Sequence, residues 1–209
     1  MRKRYLFLGD SITDAKRLWL PDYRGLGNGY VFCAAKALAA EGQYPEIINK
    51  GHDGFTVHAL LRNLSEDCLA YEPDFVTVLV GINNIGMAFH TGQTIEEQHF
   101  YEDYRKLLTS LSGETRAKVL CMGPFVFPKP QEYSLWLEAV LSMEEGIREL
   151  TACFCQVRFL PLQEWLNEAA GRLGYEAVTT DGIHLTQLGH GLLAGYWMDF
   201  VRSQPDCTI

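Results

Sequence analysis

The feature of this sequence that most constrains its fold is the regular alternation of short apolar runs with longer amphipathic segments. Five runs have the length and composition of strands, at residues 5–8, 46–49, 74–80, 117–122 and 156–160. The third is apolar almost throughout, as expected of a strand that is covered on both faces. Such alternation is typical of parallel strands joined by right-handed helical crossovers. We therefore predict an α/β fold, a three-layer α/β/α sandwich around about five parallel strands.

The amphipathic segments predict six helices, at residues 29–41, 56–70, 95–112, 135–151, 161–173 and 186–202. No internal repeat, low-complexity stretch or linker divides the chain, so we expect a single domain over residues 1–209. Two irregular segments, 14–28 and 123–134, each follow the carboxyl end of a predicted strand. Open α/β sheets bind ligands at those ends, so we expect a cleft there.

Charge and hydropathy exclude several classes of partner. The formal net charge is -8, and the longest basic cluster is residues 2–4, so we expect neither nucleic acid nor an anionic membrane surface as a partner. No run approaches the roughly 20 apolar residues of a membrane span. The basic start resembles a signal peptide, but the apolar run after it is too short, and we expect a cytoplasmic protein. The 6 cysteines form no C-x-x-C pair, which favours reduced thiols over disulfides or a zinc site.

Residues with catalytic potential follow the predicted strands. Gly-Asp-Ser at 9–11 follows the first, Gly-His-Asp-Gly at 51–54 the second, and Gly-Ile-Asn-Asn at 81–84 the third. Asp-Gly-Ile-His at 181–184 lies just before the last helix. Because the carboxyl ends of parallel strands share one edge of the sheet, we expect these residues to converge. Their convergence indicates a hydrolytic site.

Ser11 is the candidate nucleophile, because it lies at a strand-to-helix turn that can project its hydroxyl into a cleft. A serine hydroxyl is a poor nucleophile until a base takes its proton. His184 is the best candidate base, since Asp181 can orient its ring and stabilise the imidazolium. Taken alone, the serine segment is better explained as a helix cap or phosphate-binding turn, and the Asp–His pair as a loop hydrogen bond. The position of the pair after the last strand favours catalysis.

Attack on an ester also requires donors for the developing oxyanion. The backbone N–H groups of Ser11 and Gly54 and the side-chain amide of Asn83 are the candidates. If each is considered alone, Gly54 is explained by a tight turn and Asn83 by a helix-capping role. The occurrence of all four motifs in one order outweighs these readings.

In this combination the chain resembles the SGNH, or GDSL-type, hydrolase family. The first block is Gly-Asp-Ser-Ile-Thr-Asp at 9–14, and the other three supply the glycine, the asparagine and the Asp–His pair. The resemblance implies the flavodoxin-like SGNH hydrolase fold and a serine esterase without cofactor or metal. It also implies a triad and an oxyanion hole with these members: Ser11, Asp181 and His184; and Ser11, Gly54 and Asn83.

Further segments are similar to the bacterial carbohydrate acetylesterase branch, which includes acetyl-xylan esterases; they are residues 9–14, 26–31, 73–78 and 124–125. This similarity implies removal of short acyl groups, above all acetyl, from carbohydrate esters. Members usually carry aspartate after the oxyanion asparagine and often proline after the catalytic histidine. This chain has Asn84 and Leu185 instead, and Asn84 bears on how the Asn83 loop is braced.

Three other functions remain open. The same triad could serve a lysophospholipase or thioesterase, or the site could be the recognition cleft of a non-catalytic carbohydrate-binding protein. A two-metal phosphoesterase would use His52 and Asp53 beside Asp10 and His184. We expect no metal, because no further carboxylates or histidines can be assigned to complete such a site.

Substrate contacts are predicted near the nucleophile, from Asp10 and from the rings of Trp19 and Tyr23. Core or oligomer contacts explain the rings equally well. Arg17 could meet an acidic substrate, although we favour an exposed surface role, and we expect His190 on a helix face. The expected partner is a small-molecule or oligosaccharide ester, and a homo-oligomer is compatible with the sequence.

Overall fold

The computed structural model describes residues 2–17 and 25–203 and contains one five-stranded sheet. Its strands are β1 (Arg4–Gly9), β2 (Glu46–Gly51), β3 (Phe75–Leu79), β4 (Lys118–Met122) and β5 (Val157–Leu160). All neighbours pair in parallel, in the order β2-β1-β3-β4-β5. This is the flavodoxin-like arrangement. The prediction of a parallel α/β fold is confirmed.

The α-helices of the described residues are α1 (Ser11–Asp14), α2 (Tyr30–Ala40), α3 (Val57–Asp67), α4 (Ile82–Thr91), α5 (Phe100–Glu114), α6 (Leu137–Thr151), α7 (Gln163–Leu173), α8 (Tyr175–Val178) and α9 (Gln187–Ser203). Two 3-10 helices lie at Leu69–Tyr71 and Gln131–Trp136. All six predicted helices are present with shifted ends, whereas α1, α4 and α8 were not predicted. None of the helices described is long and apolar enough to cross a membrane.

The core lies on both faces of the sheet. Every residue of β3 is buried, as its apolar composition predicts. On one face, α2 and α9 pack against each other, and their rings Tyr30 and Trp197 both contact Phe7 of β1. The indole N–H of Trp197 donates to Thr77 Oγ1 at 3.0 Å, so this buried polar group is paired. α3 and α5 form a second pair of packed helices.

The register of the sheet brings the ends of three strands to one level. Gly9 pairs with Gly51 of β2 and with Leu79 of β3. A Cβ at Gly9 would lie 2.6 Å from the Leu79 carbonyl oxygen, so glycine is required where β1 ends. The predicted site residues follow these three ends directly: Ser11, Gly54 and Asn83.

Candidate active site

A hydrogen-bonded chain of three side chains lies at the carboxyl edge of the sheet. Ser11 Oγ is 2.9 Å from His184 Nε2, and His184 Nδ1 is 2.6 Å from Asp181 Oδ2. Because an ionised carboxylate only accepts hydrogen bonds, Nδ1 carries the proton of the neutral ring and Nε2 can accept the serine proton. The structure therefore brings the three predicted triad residues together with the geometry that general-base activation requires.

The loop at residues 181–184, which carries the candidate base His184, folds the Asp181 carboxylate back onto the His184 ring. Asp181 Oδ1 accepts the backbone N–H of Ile183 at 2.9 Å and of His184 at 2.7 Å. Gly182, between them, has φ +96, and a Cβ there would fall 2.0 Å from the Lys129 carbonyl oxygen. No other residue fits this position without moving the loop.

The electrostatics of the loop favour an ionised Asp181. Partial burial acts to raise the pKa of Asp181, but hydrogen bonds from the His184 ring and from two backbone N–H groups outweigh it. The pKa of Asp181 therefore lies below its ordinary value. The carboxylate stays charged at neutral pH and can stabilise a protonated His184 ring.

Asp10 lies directly before the nucleophile and caps α1. Its Oδ1 accepts the backbone N–H of Ile12 at 3.0 Å, and the residue is only 1% exposed. Its Oδ2 has no hydrogen-bond partner among the described residues. Burial raises the pKa of Asp10 to about 7, although the Ile12 bond and the nearby His184 act to lower it. Asp10 thus holds the turn of the candidate nucleophile, and its contact with substrate stays a prediction.

The candidate oxyanion donors are linked through the turn that follows β2. The turn is closed by the N–H of Phe55, which donates to the His52 carbonyl at 3.2 Å, and Gly54 within it has φ +74. Asn83 Nδ2 donates to the Phe55 carbonyl at 3.0 Å, which leaves the second N–H of this amide available. Within the described part of the chain, no acceptor takes the backbone N–H of Ser11 or Gly54. Each of the three candidates thus retains a donor for an oxyanion.

Asn84, at the position where the family usually has aspartate, braces the same region. Its Oδ1 accepts the Val57 N–H at 3.2 Å, and its Nδ2 donates to Gln98 Oε1 at 3.0 Å. Gln98 Nε2 returns a bond to the Asn84 carbonyl at 3.1 Å. An ionised aspartate could accept from Val57 but could not donate to Gln98. The departure from the family pattern therefore adds the bond to Gln98, ahead of α5, whereas the bond to the start of α3 is one that aspartate could also make.

An open cleft of about 440 Å³ lies over Ser11 and His184. Its further polar lining includes Lys16, Asn28, Asp53, Thr180, Gln187 and His190. Trp19 and Tyr23, the two rings predicted to contact a sugar, lie outside the described residues. The described lining of the cleft combines polar and apolar groups.

His190 of α9 is a cleft residue that the sequence reasoning missed. Its Nδ1 accepts the Tyr30 backbone N–H at 3.2 Å, so the proton of the neutral ring lies on Nε2. Burial lowers the pKa of His190 to about 4, and the ring stays neutral at pH 7. No local sequence signal pointed to this role, since a Cβ at Gly29 would lie 3.0 Å from His190 Cε1 but closer still, at 2.4 Å, to Ala15 Cβ.

Arg17 is not the exposed surface residue that the sequence suggested. Its side chain is only 12% exposed and pairs with Asp14 Oδ1 at 3.2 Å. Its Nε donates to the Gly51 carbonyl at 2.7 Å. The expectation of surface exposure is wrong because the guanidinium satisfies acceptors at the ends of α1 and β2.

The two histidines considered for a metal site, His52 and His184, are engaged by other side chains. His52 Nε2 is 2.8 Å from Asp67 Oδ2. Among residues 2–17 and 25–203, no group of three or more His, Cys, Asp or Glu side chains could hold a metal ion.

Comparison with known proteins places this chain in a family. Residues 7–192 match the GDSL-like Lipase/Acylhydrolase family. The chain is 31% identical over 224 residues to an acetylxylan esterase of Geobacillus stearothermophilus, with 97% of each chain covered.

Two solved structures share the fold. A protein of Parabacteroides merdae named as a GDSL-like lipase matches with a TM-score of 0.84 and 28% identity, over 95% of this chain and 96% of that one. A variant of Axe2, an acetyl-xylooligosaccharide esterase from Geobacillus stearothermophilus, matches with a TM-score of 0.82 and 23% identity, over 97% and 95%. The chain belongs to the GDSL-like lipase/acylhydrolase family and is a serine ester hydrolase.

Proposed function

We propose that this enzyme removes short acyl groups, above all acetyl, from carbohydrate esters through an acyl-enzyme intermediate. The observation that carries the proposal is the unbroken hydrogen-bonded chain from Ser11 through His184 to Asp181, opening into a polar cleft. The 31% identical relative is named as an acetylxylan esterase, which supports a carbohydrate ester as substrate.

In the first step, Ser11 Oγ attacks the ester carbonyl carbon while His184 Nε2 takes the hydroxyl proton. The carbonyl π electrons move to the oxygen, which accepts hydrogen bonds from the N–H groups of Ser11, Gly54 and Asn83. The ionised Asp181 stabilises the imidazolium at the same moment. These interactions strengthen as charge develops, so they lower the barrier rather than only holding substrate.

In the second step, the tetrahedral intermediate collapses and the bond to the leaving oxygen breaks. His184 donates its Nε2 proton to that oxygen, which departs as a sugar hydroxyl, and the acyl group stays on Ser11. Water then attacks the acyl-enzyme while His184 accepts its proton. Collapse of the second intermediate returns the proton to Ser11 and releases the carboxylic acid.

The described lining of the cleft mixes polar side chains with small apolar surfaces, which favours a small acyl group over a long one. An eight-carbon chain would gain about 0.8 kcal/mol for each methylene buried in an apolar groove. The polar lining, with Lys16, Asn28 and Gln187, suits sugar hydroxyls instead. We expect kcat/KM for an aryl acetate to exceed that for the octanoate by at least about tenfold, or roughly 1.4 kcal/mol.

The decisive experiment is a hydrolysis panel of acetylated xylo-oligosaccharides, aryl esters from acetate to octanoate, and acyl thioesters. The Ser11→Ala variant gives the background rate for each substrate. Efficiency that climbs steadily with chain length, or a preference for thioesters, would contradict the proposal in favour of the lysophospholipase or thioesterase alternative. Sugar binding without turnover would favour the non-catalytic alternative. A cytoplasmic location and a homo-oligomeric state stay predictions.

A further inference from the structure

We propose that His52 is a positioning residue for the oxyanion hole, acting through the turn that carries Gly54. The inference rests on the proposed esterase function, because an oxyanion hole matters only to acyl transfer. His52 opens the turn after β2, and its backbone N–H donates to the Gly9 carbonyl at 3.0 Å. The turn is thereby attached to the strand that leads to Ser11.

The His52 ring is held at both nitrogens. Nδ1 lies 3.3 Å from Arg17 Nη2, and Nε2 lies 2.8 Å from Asp67 Oδ2. A guanidinium can only donate, so Nδ1 accepts, and the ring proton lies on Nε2, which donates to the carboxylate. The neutral ring thus bridges a cation and an anion with one fixed orientation.

This fixed ring supports Phe55, the residue that closes the turn. The rings of His52 and Phe55 stack with centroids 4.3 Å apart and an interplanar angle of 17°. The Phe55 carbonyl accepts the Asn83 Nδ2 bond at 3.0 Å. Gly54 lies inside the turn, and Asn83 is bonded to Phe55 at its end. Both of these candidate oxyanion donors therefore depend on the stacking of Phe55 on His52. A shift of the His52 ring should therefore move two oxyanion donors together.

Removing the polar contacts of His52 should leave the fold intact. Asp67 keeps an ion pair with Lys50 Nζ at 3.3 Å. Arg17 keeps its bond to the Gly51 carbonyl and its ion pair with Asp14. Neither charged partner is left buried and unpaired, which is the usual cause of a large loss of stability at such sites.

The test compares two substitutions with a matched control. His52→Phe keeps a flat ring for Phe55 but removes both polar contacts, whereas His52→Gln keeps a donor that can reach Asp67. The control is His58→Phe, since His58 Nδ1 also lies 2.8 Å from a carboxylate, that of Asp103, and does not line the cleft.

We expect His52→Phe to lower kcat for an aryl acetate by at least about tenfold while KM changes by less than about twofold. His52→Gln should retain more of the wild-type kcat than His52→Phe. His58→Phe should match the wild type in both constants. All variants should unfold within about 4 °C of the wild-type Tm, and the backbone amide resonance of Gly54 should move in His52→Phe but not in His58→Phe.

The inference is overturned if His52→Phe keeps wild-type kcat, if KM carries the defect, or if His52→Gln is no better than His52→Phe. An unmoved Gly54 resonance would overturn it as well. Failure of the proposed esterase function is distinguishable, because the wild-type enzyme would then not hydrolyse the aryl acetate, whereas the Gly54 resonance can be measured without substrate.

Discussion

Asp10→Asn tests the burial of a carboxyl group directly before the nucleophile. The pKa of Asp10 is raised from 3.8 to about 7, mainly by burial. Between those two values the folded protein holds a proton that the unfolded chain has released. The free energy of unfolding therefore falls as pH rises through this window, and the loss is complete above about pH 7. Asparagine keeps the oxygen that accepts the Ile12 N–H but does not titrate.

The size of the effect follows from the shift. Each pKa unit corresponds to 1.36 kcal/mol, so the two units from pH 5 to pH 7 amount to about 3 kcal/mol. Asp10 is only 1% exposed, so solvent screening does not reduce this value much. The wild type should lose about 3 kcal/mol of stability relative to Asp10→Asn between pH 5 and pH 8, which corresponds to about 6–12 °C in Tm.

The assay is urea unfolding of both proteins at half-unit steps from pH 5 to pH 8. The new amide N–H groups meet no partner at the position of Oδ2, so the two curves should differ by a constant offset as well. Only the change in their difference with pH tests the argument. Asp199→Asn, at a carboxylate that is 72% exposed, controls for the loss of one negative charge. Parallel curves for wild type and Asp10→Asn would refute the reasoning.

Three further substitutions test the proposed mechanism. Ser11→Ala should abolish turnover with the wild-type Tm, because it deletes the nucleophile and leaves a methyl group that fits; wild-type rates would remove Ser11 from the mechanism. Asp181→Asn should lower kcat by about 10³–10⁴, since an amide cannot stabilise the imidazolium, and retained activity would mean that another group orients His184. Asn83→Ala should lower kcat by about 10²–10³ at nearly constant KM, whereas a defect confined to KM would assign Asn83 to substrate binding.

The sheet and the residues of the candidate triad could be proposed from the sequence because their signals are local. The composition of residues 74–80 alone indicates β3. Asp181 and His184 are only three positions apart, so their pairing can be proposed directly from the sequence. Helix α4 was missed because its first residues include two asparagines and a glycine, which are weak helix formers. Gly86 of this helix packs against Trp136, a contact that no local pattern reveals.

The roles of Arg17 and His190 could not be predicted for a related reason. Arg17 is buried by acceptors on α1 and β2, and His190 is fixed by the Tyr30 backbone, 160 positions earlier in the chain. Sequence patterns describe which face of an element is apolar, but they do not say which polar group a distant segment will supply. Polar positions inside a cleft are therefore the hardest to recognise from one sequence.

The close approach of Gly182 to Lys129 determines where substrate scope can be engineered. The Phe127 N–H also donates to the Gly182 carbonyl at 2.8 Å, so the segment after β4 is fastened to the loop that holds the base. Insertions or loop grafts at residues 127–129 would displace His184 and lower turnover for every substrate. Lys16 and Gln187 also line the cleft, and in the described structure their side chains make no hydrogen bond to the loop that carries His184. Libraries that aim to change substrate scope should vary these two positions and leave the segment after β4 intact.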